Sequence, residues 1–318
     1  MADTKVEESS MAGSWEGSWL VGTALGLYCG GSTSGWHRAG RYEFKVTSIV
    51  RQGDGAAVVG SEGGLWKAPR AGADWLQLHD DVLTLVQDVS PLPGDPGVLA
   101  ATAYGVHRAS RDELGALRWR SCPPTLDSPP QLDDCFSTAI LVDPDDPSRW
   151  YVGTEAGLLI AEDEGGTWRR TDIQGTAVRA LTRAGGLAGG LVWAGTDAQG
   201  LLVSSDGESW RPAGEGLAGI PIFDIAHTGE GDVLVGTEEG VMVGDGAGRW
   251  QRVGPPIRAA AVAAATSGGQ LWLAGGSPGG LWHSEDRGIN WRQAAGMPHS
   301  VEALAAPRPQ VEMAEPDG

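Results

Sequence analysis

A short apolar strand followed by a Gly-Thr pair and a further glycine recurs along the chain. The copies are WLVGTALG from Trp19, AVVGSEGG from Ala57, VLAATAYG from Val98, WYVGTEAG from Trp150, LVWAGTDAQG from Leu191, VLVGTEEG from Val233 and LWLAGGSPGG from Leu271. Each leads into two or three apolar residues, a polar turn and a tryptophan. These tryptophans are Trp36, Trp75, Trp119, Trp168, Trp210, Trp250 and Trp291, spaced 39 to 49 residues apart. Before every copy but the first lies another apolar strand: KVTSIV, TLVQDVS, STAILVD, AVRALT, IFDIAH and IRAAAV. A period of about 40 residues with four strands per unit specifies a β-propeller, whose sheets cover one another by radial stacking. The leading strand missing from the first repeat is supplied at the far end by HSVEALAA, residues 299–306. Closure by that strand leaves no open sheet edge. The expected fold is all-β: one seven-bladed propeller of four-stranded antiparallel blades over residues 14–306, with disordered tails at 1–13 (acidic) and 307–318.

Composition agrees with many repeated turns and one repeated aromatic position. The chain has 318 residues, with 50 Gly and 14 Trp against 3 Phe and 4 Tyr. A formal charge of −18 argues against nucleic acid or an anionic membrane as partner, since binding to phosphate needs clustered Lys and Arg. No apolar run reaches the roughly 18 residues of a membrane helix. The start, MADTKVEESSMAGSW, lacks a basic segment followed by an apolar one, so no secretory signal is expected. Three cysteines, an odd number, fit a reducing compartment. Cys122 and Cys135 flank a Pro-rich segment and are expected to remain inert thiols. A cytoplasmic monomer is the expected state. Without Cys-x-x-Cys or His-x-x-x-His spacing, no metal is expected, and no cofactor.

The turn before the closing tryptophan carries a second motif. Ala161-Glu162-Asp163-Glu164-Gly165-Gly166-Thr167-Trp168 fits the pattern Ser-x-Asp-x-Gly-x-Thr-Trp, as does Ser284 through Trp291 with Asn290 in the Thr position. Ser204 through Trp210 is one residue shorter. Gly244 through Trp250 and Ala68 through Trp75 are degenerate copies, the latter with Arg70 where Asp is expected. These segments resemble the Asp-box, or BNR repeat, a family of WD40/YVTN-like propellers. The chain looks like its compact bacterial members related to the photosystem II assembly and stability factor, and less like the sialidase and sortilin-type propellers. It lacks the Phe-Arg-Ile-Pro-like segment of sialidases, so that activity is not expected. The resemblance implies a structural role for Asp163, Asp206, Asp286, Trp168, Trp210 and Trp291. Asp163 is expected to accept backbone N–H groups within its turn.

Propeller topology places the Asp-box turns on one face and candidate sites on the other. That other face gathers the Gly-Thr turns, with Glu62, Glu155, Asp197 and Glu238 at one equivalent position. Aligned by hydrophobic pattern, Thr47, Gln87, Thr138, Arg179, Phe223, Arg258 and Glu302 share one place on the leading strands and are expected to face the axis. Arginine forks grip carboxylates bidentately. A pair of carboxylates with one raised pKa can serve as general acid and base. Opposed to these readings, the turn acids can simply face solvent and the arginines can be neutralised by their neighbours. The insertion at 120–135 carries four prolines and falls on the same face, next to Tyr104. It reads as a lid or partner-docking loop.

Two function classes remain open. One is a non-catalytic scaffold that recognises a protein or peptide through the insertion-bearing face. It is favoured by degenerate repeats and the absence of a catalytic motif. The other is a hydrolase or lyase acting on a small polar, carboxylated substrate in the axial funnel. There Arg179 and Arg258 would hold the carboxylate and Glu302 or Glu238 would act as acid/base, with Gln87, Thr138, Phe223, Glu155, Asp197 and Tyr104 as further ligand contacts.

Overall fold

Each repeat of the sequence becomes one sheet of four antiparallel strands, and there are seven such sheets. The computed structural model describes residue 15 and residues 17–307, apart from 54, 70–73, 81–82, 94–96, 112–116, 128–129, 184–189 and 266–270. The expected tails lie outside the described residues save for residue 307, and so does Arg70. Blade one takes its innermost strand, Val301–Ala305, from the C-terminal end, paired with Trp19–Thr23. The other innermost strands are Val46–Arg51, Val86–Pro91, Ser137–Val142, Val178–Arg183, Ile222–His227 and Ala259–Ala264, in blades two to seven.

The core lies between blades. The second strand of every blade is buried along its whole length, covered on both sides, which is why it reads as an apolar run rather than an alternating one. One hydrophobic cluster joins Leu99 and Val106 of blade three to Trp150 and Leu159 of blade four, and the next joins Tyr151 and Ile160 of blade four to Val178 and Val192 of blade five. The Gly-Thr pair follows from this stacking. A Cβ on Gly22, Gly195 or Gly275 would sit 2.5, 2.8 or 2.4 Å from Val46, Ile222 or Val301 on the next blade's innermost strand. The buried hydroxyl beside it closes the turn, as when Thr154 donates to the Gly157 carbonyl at 2.9 Å and Thr237 to Gly240 at 2.8 Å.

The acidic turns on the lower face differ among themselves. Asp206 accepts the backbone N–H groups of Glu208 and Ser209 at 2.8 and 2.9 Å and the Ser204 hydroxyl at 2.8 Å. Asp286 accepts the Asn290 N–H and the Ser284 hydroxyl, each at 2.8 Å. Asp163 departs from its expectation. Among the described residues its carboxylate receives only the Thr167 hydroxyl, at 3.4 Å, and the residue itself lies at φ 51°. Ala161 stands where the Asp206 and Asp286 turns have serine. In those turns the hydroxyl binds both the Asp and the glycine N–H of Gly207 or Gly288, at 2.8 Å in each case. Without it, the N–H groups of Gly165 and Gly166 both turn to the Glu162 carbonyl at 3.0 Å. Trp168 keeps its place: it is buried and its indole N–H donates to Gly165 at 3.0 Å, as Trp210 and Trp291 do to their glycines at 3.2 Å.

Candidate functional site

All seven innermost strands carry a β-bulge at the same height, where the ladder to the second strand skips one residue. A bulged residue is left unpaired and its side chain is re-aimed. Here the skipped residues are Glu302, Thr47, Gln87, Thr138, Arg179, Phe223 and Ala260, one per blade from one to seven. They form a ring around the axis. Above it opens a funnel of about 630 Å³, below it a channel of about 220 Å³, and the residues lining both are these seven.

Six of the seven positions expected to face the axis are thus the bulge residues. Arg258 is misplaced by two: it precedes its strand, and the ring position of blade seven belongs to Ala260. In IRAAAVAA the alanines give the hydrophobic pattern no contrast, so nothing local sets the register. Arg258 nevertheless lines the funnel, one level above the ring, as do Lys45, Pro221, Asp197 and Glu238. Its guanidinium lies over the Phe223 ring, 4.0 Å from the centroid, within cation–π range.

Arg179 is already engaged. It donates to both oxygens of Asp197, at distances down to 2.7 Å, and to both oxygens of Glu155 at 2.7 and 3.2 Å. The hydrogen bonds to Asp197 raise its pKa most, against the opposing effect of burial, and those to Glu155 add to them. Four of its five N–H donors' directions are occupied by protein carboxylates, so it serves as a fixed part of the wall. Lys45 lies 3.5 Å from Glu62 in the same fashion. Glu302 accepts the Ser277 hydroxyl at 2.7 Å, and Ser277 also receives Arg258 on its carbonyl at 3.4 Å. Tyr104 is 66% exposed at the tip of a blade-three turn and lines neither cavity.

One residue below the ring, the channel wall carries two acids that pattern reading passed over, Asp88 and Asp224. Asp88 accepts the N–H of Val89 at 2.8 Å, that of Ile140 on the next blade at 3.0 Å, and the Ser48 hydroxyl of the preceding blade at 2.8 Å. Asp224 accepts Ile225 and, on the next blade, Val262, both at 2.8 Å. Each carboxylate therefore clips its strand to its neighbour. Burial pushes the pKa of Asp224 up to about 7, with Asp88 adding to it and the two backbone N–H bonds opposing it. Asp88 is raised for the same leading reason. The available signal was an acid at one shared position in two otherwise apolar strands, VQDVS and IFDIAH.

The insertion does not reach the funnel with any of its described residues, which exclude 128–129. It runs along blade four instead. Thr125 donates to Gly166 at 3.5 Å, Leu126 packs on the core between blades three and four, and a single helical turn, Leu132–Cys135, follows. Within that turn Asp134 is buried and pairs with Arg170 at 2.6 Å. The expected lid is thus a strap between two blades, and its one prominent apolar group is Leu132, 85% exposed. All three cysteines are free.

No family model and no curated protein matches the sequence. Solved structures do match its shape. The chain resembles the extracellular domain of the hybrid two-component system BT4673 from B. thetaiotaomicron, with TM-score 0.62 and 18% identity over 87% of this chain and 36% of that one. The match thus spans little more than a third of that relative. The Myceliophteria thermophila Cps50 (Swd1) β-propeller domain gives TM-score 0.65 and 14% identity, covering 84% of this chain and 92% of that domain. A chain of the Mitotic Checkpoint Complex gives 0.60 and 12%, covering 83% and 84%. At such identities the likeness is one of fold alone.

Proposed function

We propose that this chain is a non-catalytic binding propeller whose upper face, centred on the funnel, engages a segment of a partner protein or peptide. The observation that carries this reading is the ring: one backbone position, repeated in all seven blades, holds six different residue types beneath a concave mouth. Its size falls within the range of ligand sites, roughly 300–1,000 Å³. In blades two to five the charges at the mouth are committed to neighbouring protein groups, which suits a shaped receptor. The serine-containing turns further support membership of the Asp-box family, a cytoplasmic monomer being the simplest state.

The test is selection of displayed random peptides on the full chain. Gln87→Trp plugs the constriction and is expected to reduce recovery of selected peptides at least tenfold, while Glu285→Lys on the lower face leaves it unchanged. Equal recovery from both variants overturns the reading.

One observation favours a second reading, the enzyme. Asp224, with its pKa up to about 7, shares the channel with the ring and has the proton affinity of a general acid or base. Arg258 would then hold the substrate carboxylate.

A further inference from the structure

The funnel is not uniform around its axis. In blades two to five its charged groups are compensated within the protein: Lys45 by Glu62, and Arg179 by Glu155 and Asp197. In blades six, seven and one the charges are open. Among the described residues no carboxylate forms an ion pair with Arg258, and no hydrogen bond or ion pair reaches the carboxylate of Glu238. Glu302 holds only the Ser277 hydroxyl, at 2.7 Å.

Three features make this sector a receptor rather than a loose group of charges. Arg258 is fixed on two sides, by the Phe223 ring beneath it at 4.0 Å and by the Ser277 carbonyl at 3.4 Å. Ser277 binds Glu302 with its hydroxyl and Arg258 with its carbonyl, so it places opposite charges as neighbours without joining them in an ion pair. The ring has its smallest side chain here, Ala260, in the blade next to Phe223, and both line the funnel. Pro221 and Phe223 add apolar surface to the funnel wall in this sector. A cation and an anion held apart over an apolar floor complement a molecule with the reverse polarity. A ligand with a single charge would engage only one of the two ends.

We propose that the funnel sector of blades six, seven and one binds a zwitterion of the amino-acid type, its carboxylate on Arg258 and its ammonium on Glu302 and Glu238. This deepens the binding role proposed above and rests on it. A free α-amino acid and a peptide ending in lysine with a free carboxylate both carry this pair of charges.

Calorimetric titration of the full chain separates the sources. The probes are alanine and lysine, their amides and N-acetyl derivatives, and acetyl-Gly-Gly-Lys as acid and as amide. At least one zwitterionic probe is expected to bind, and blocking either of its charges is expected to weaken binding at least tenfold. Binding by the free amino acids identifies the first source, binding by the peptide acid alone the second. Arg258→Gln and Glu302→Gln are expected to cost the same factor. Ala260→Leu, which adds bulk to the funnel wall of this sector and alters no charge, is expected to abolish binding, with an unchanged melting temperature confirming that the variant is folded. Equal affinity after blocking a charge, full binding by Arg258→Gln, or no heat with any probe overturns the proposal. Binding of a doubly capped peptide that Ala260→Leu abolishes also overturns the zwitterion site, yet leaves the binding role standing.

Discussion

The axial ring and the lower-face turns are both sevenfold features, and they vary in opposite ways. In the ring the backbone is constant, a bulge at one height in every innermost strand, and the side chains differ from blade to blade. In the acidic turns the motif is similar and the geometry differs: Asp206 and Asp286 organise their turns, whereas Asp163, in a segment that keeps the Asp, a Gly and the Trp, does not. A bulge is set by backbone closure of the ring and tolerates any residue that fits the axis. A side-chain-capped turn depends on the partners its carboxylate meets, and these differ from blade to blade.

The largest effect that bears on this contrast concerns the blade-four turn. Gly165 lies so close to Trp150 that an added Cβ would be 2.8 Å from the indole, so packing on this buried ring helps hold the turn, as Gly207 packs on Tyr151 and Gly288 on Trp272 in the others. Trp150→Ala should therefore cost about 3–5 kcal/mol in denaturant unfolding, as large core deletions do. A cost under about 1 kcal/mol would remove packing as the explanation.

A smaller effect separates the two turns themselves. Asp206→Ala should lower the melting temperature clearly more than Asp163→Ala, and equal losses would dissolve the comparison. The Asp206 turn also carries a pH dependence. Backbone N–H bonds from Ser209 and Glu208, with the Ser204 hydroxyl, hold the Asp206 pKa well below the usual carboxylate range. Its folded pKa lies below its unfolded one, so its contribution is complete above about pH 4 and is lost as pH falls further. Urea unfolding at pH 6 and pH 3 should show a smaller acid loss in Asp206→Ala than in the unmodified chain.

The smallest effect lies at the axis. Asp224 has the opposite sign: its folded pKa is raised, so its contribution is complete below about pH 4 and disappears as pH rises through about 7. Stability should drift down across that window, and Asp224→Asn should flatten the drift. An unchanged slope would place the proton elsewhere.

Much of this was legible from residue order. Six ring residues follow from strand alternation, and the position of each tryptophan follows from the repeat. Arg258 was misread by two positions because its strand is nearly all alanine. The engagement of Arg179 was not readable as a fact, since Asp197 and Glu155 stand 18 and 24 residues away, Glu155 on the preceding blade. For the insertion, sequence placed the loop at the right junction but not on the right surface: the burial of Asp134 against Arg170, 36 residues on, decides that.

By itself the sequence determined the blade count, the closing strand and the buried second strands, because period, apolar runs and glycines report local requirements that each repeat meets in the same way. Only the tertiary structure decided which charges in the funnel are spent and which are open. That depends on which side chains from different blades meet at the axis, and Coulomb and hydrogen-bond partners are chosen by distance in space, which the repeat leaves unspecified.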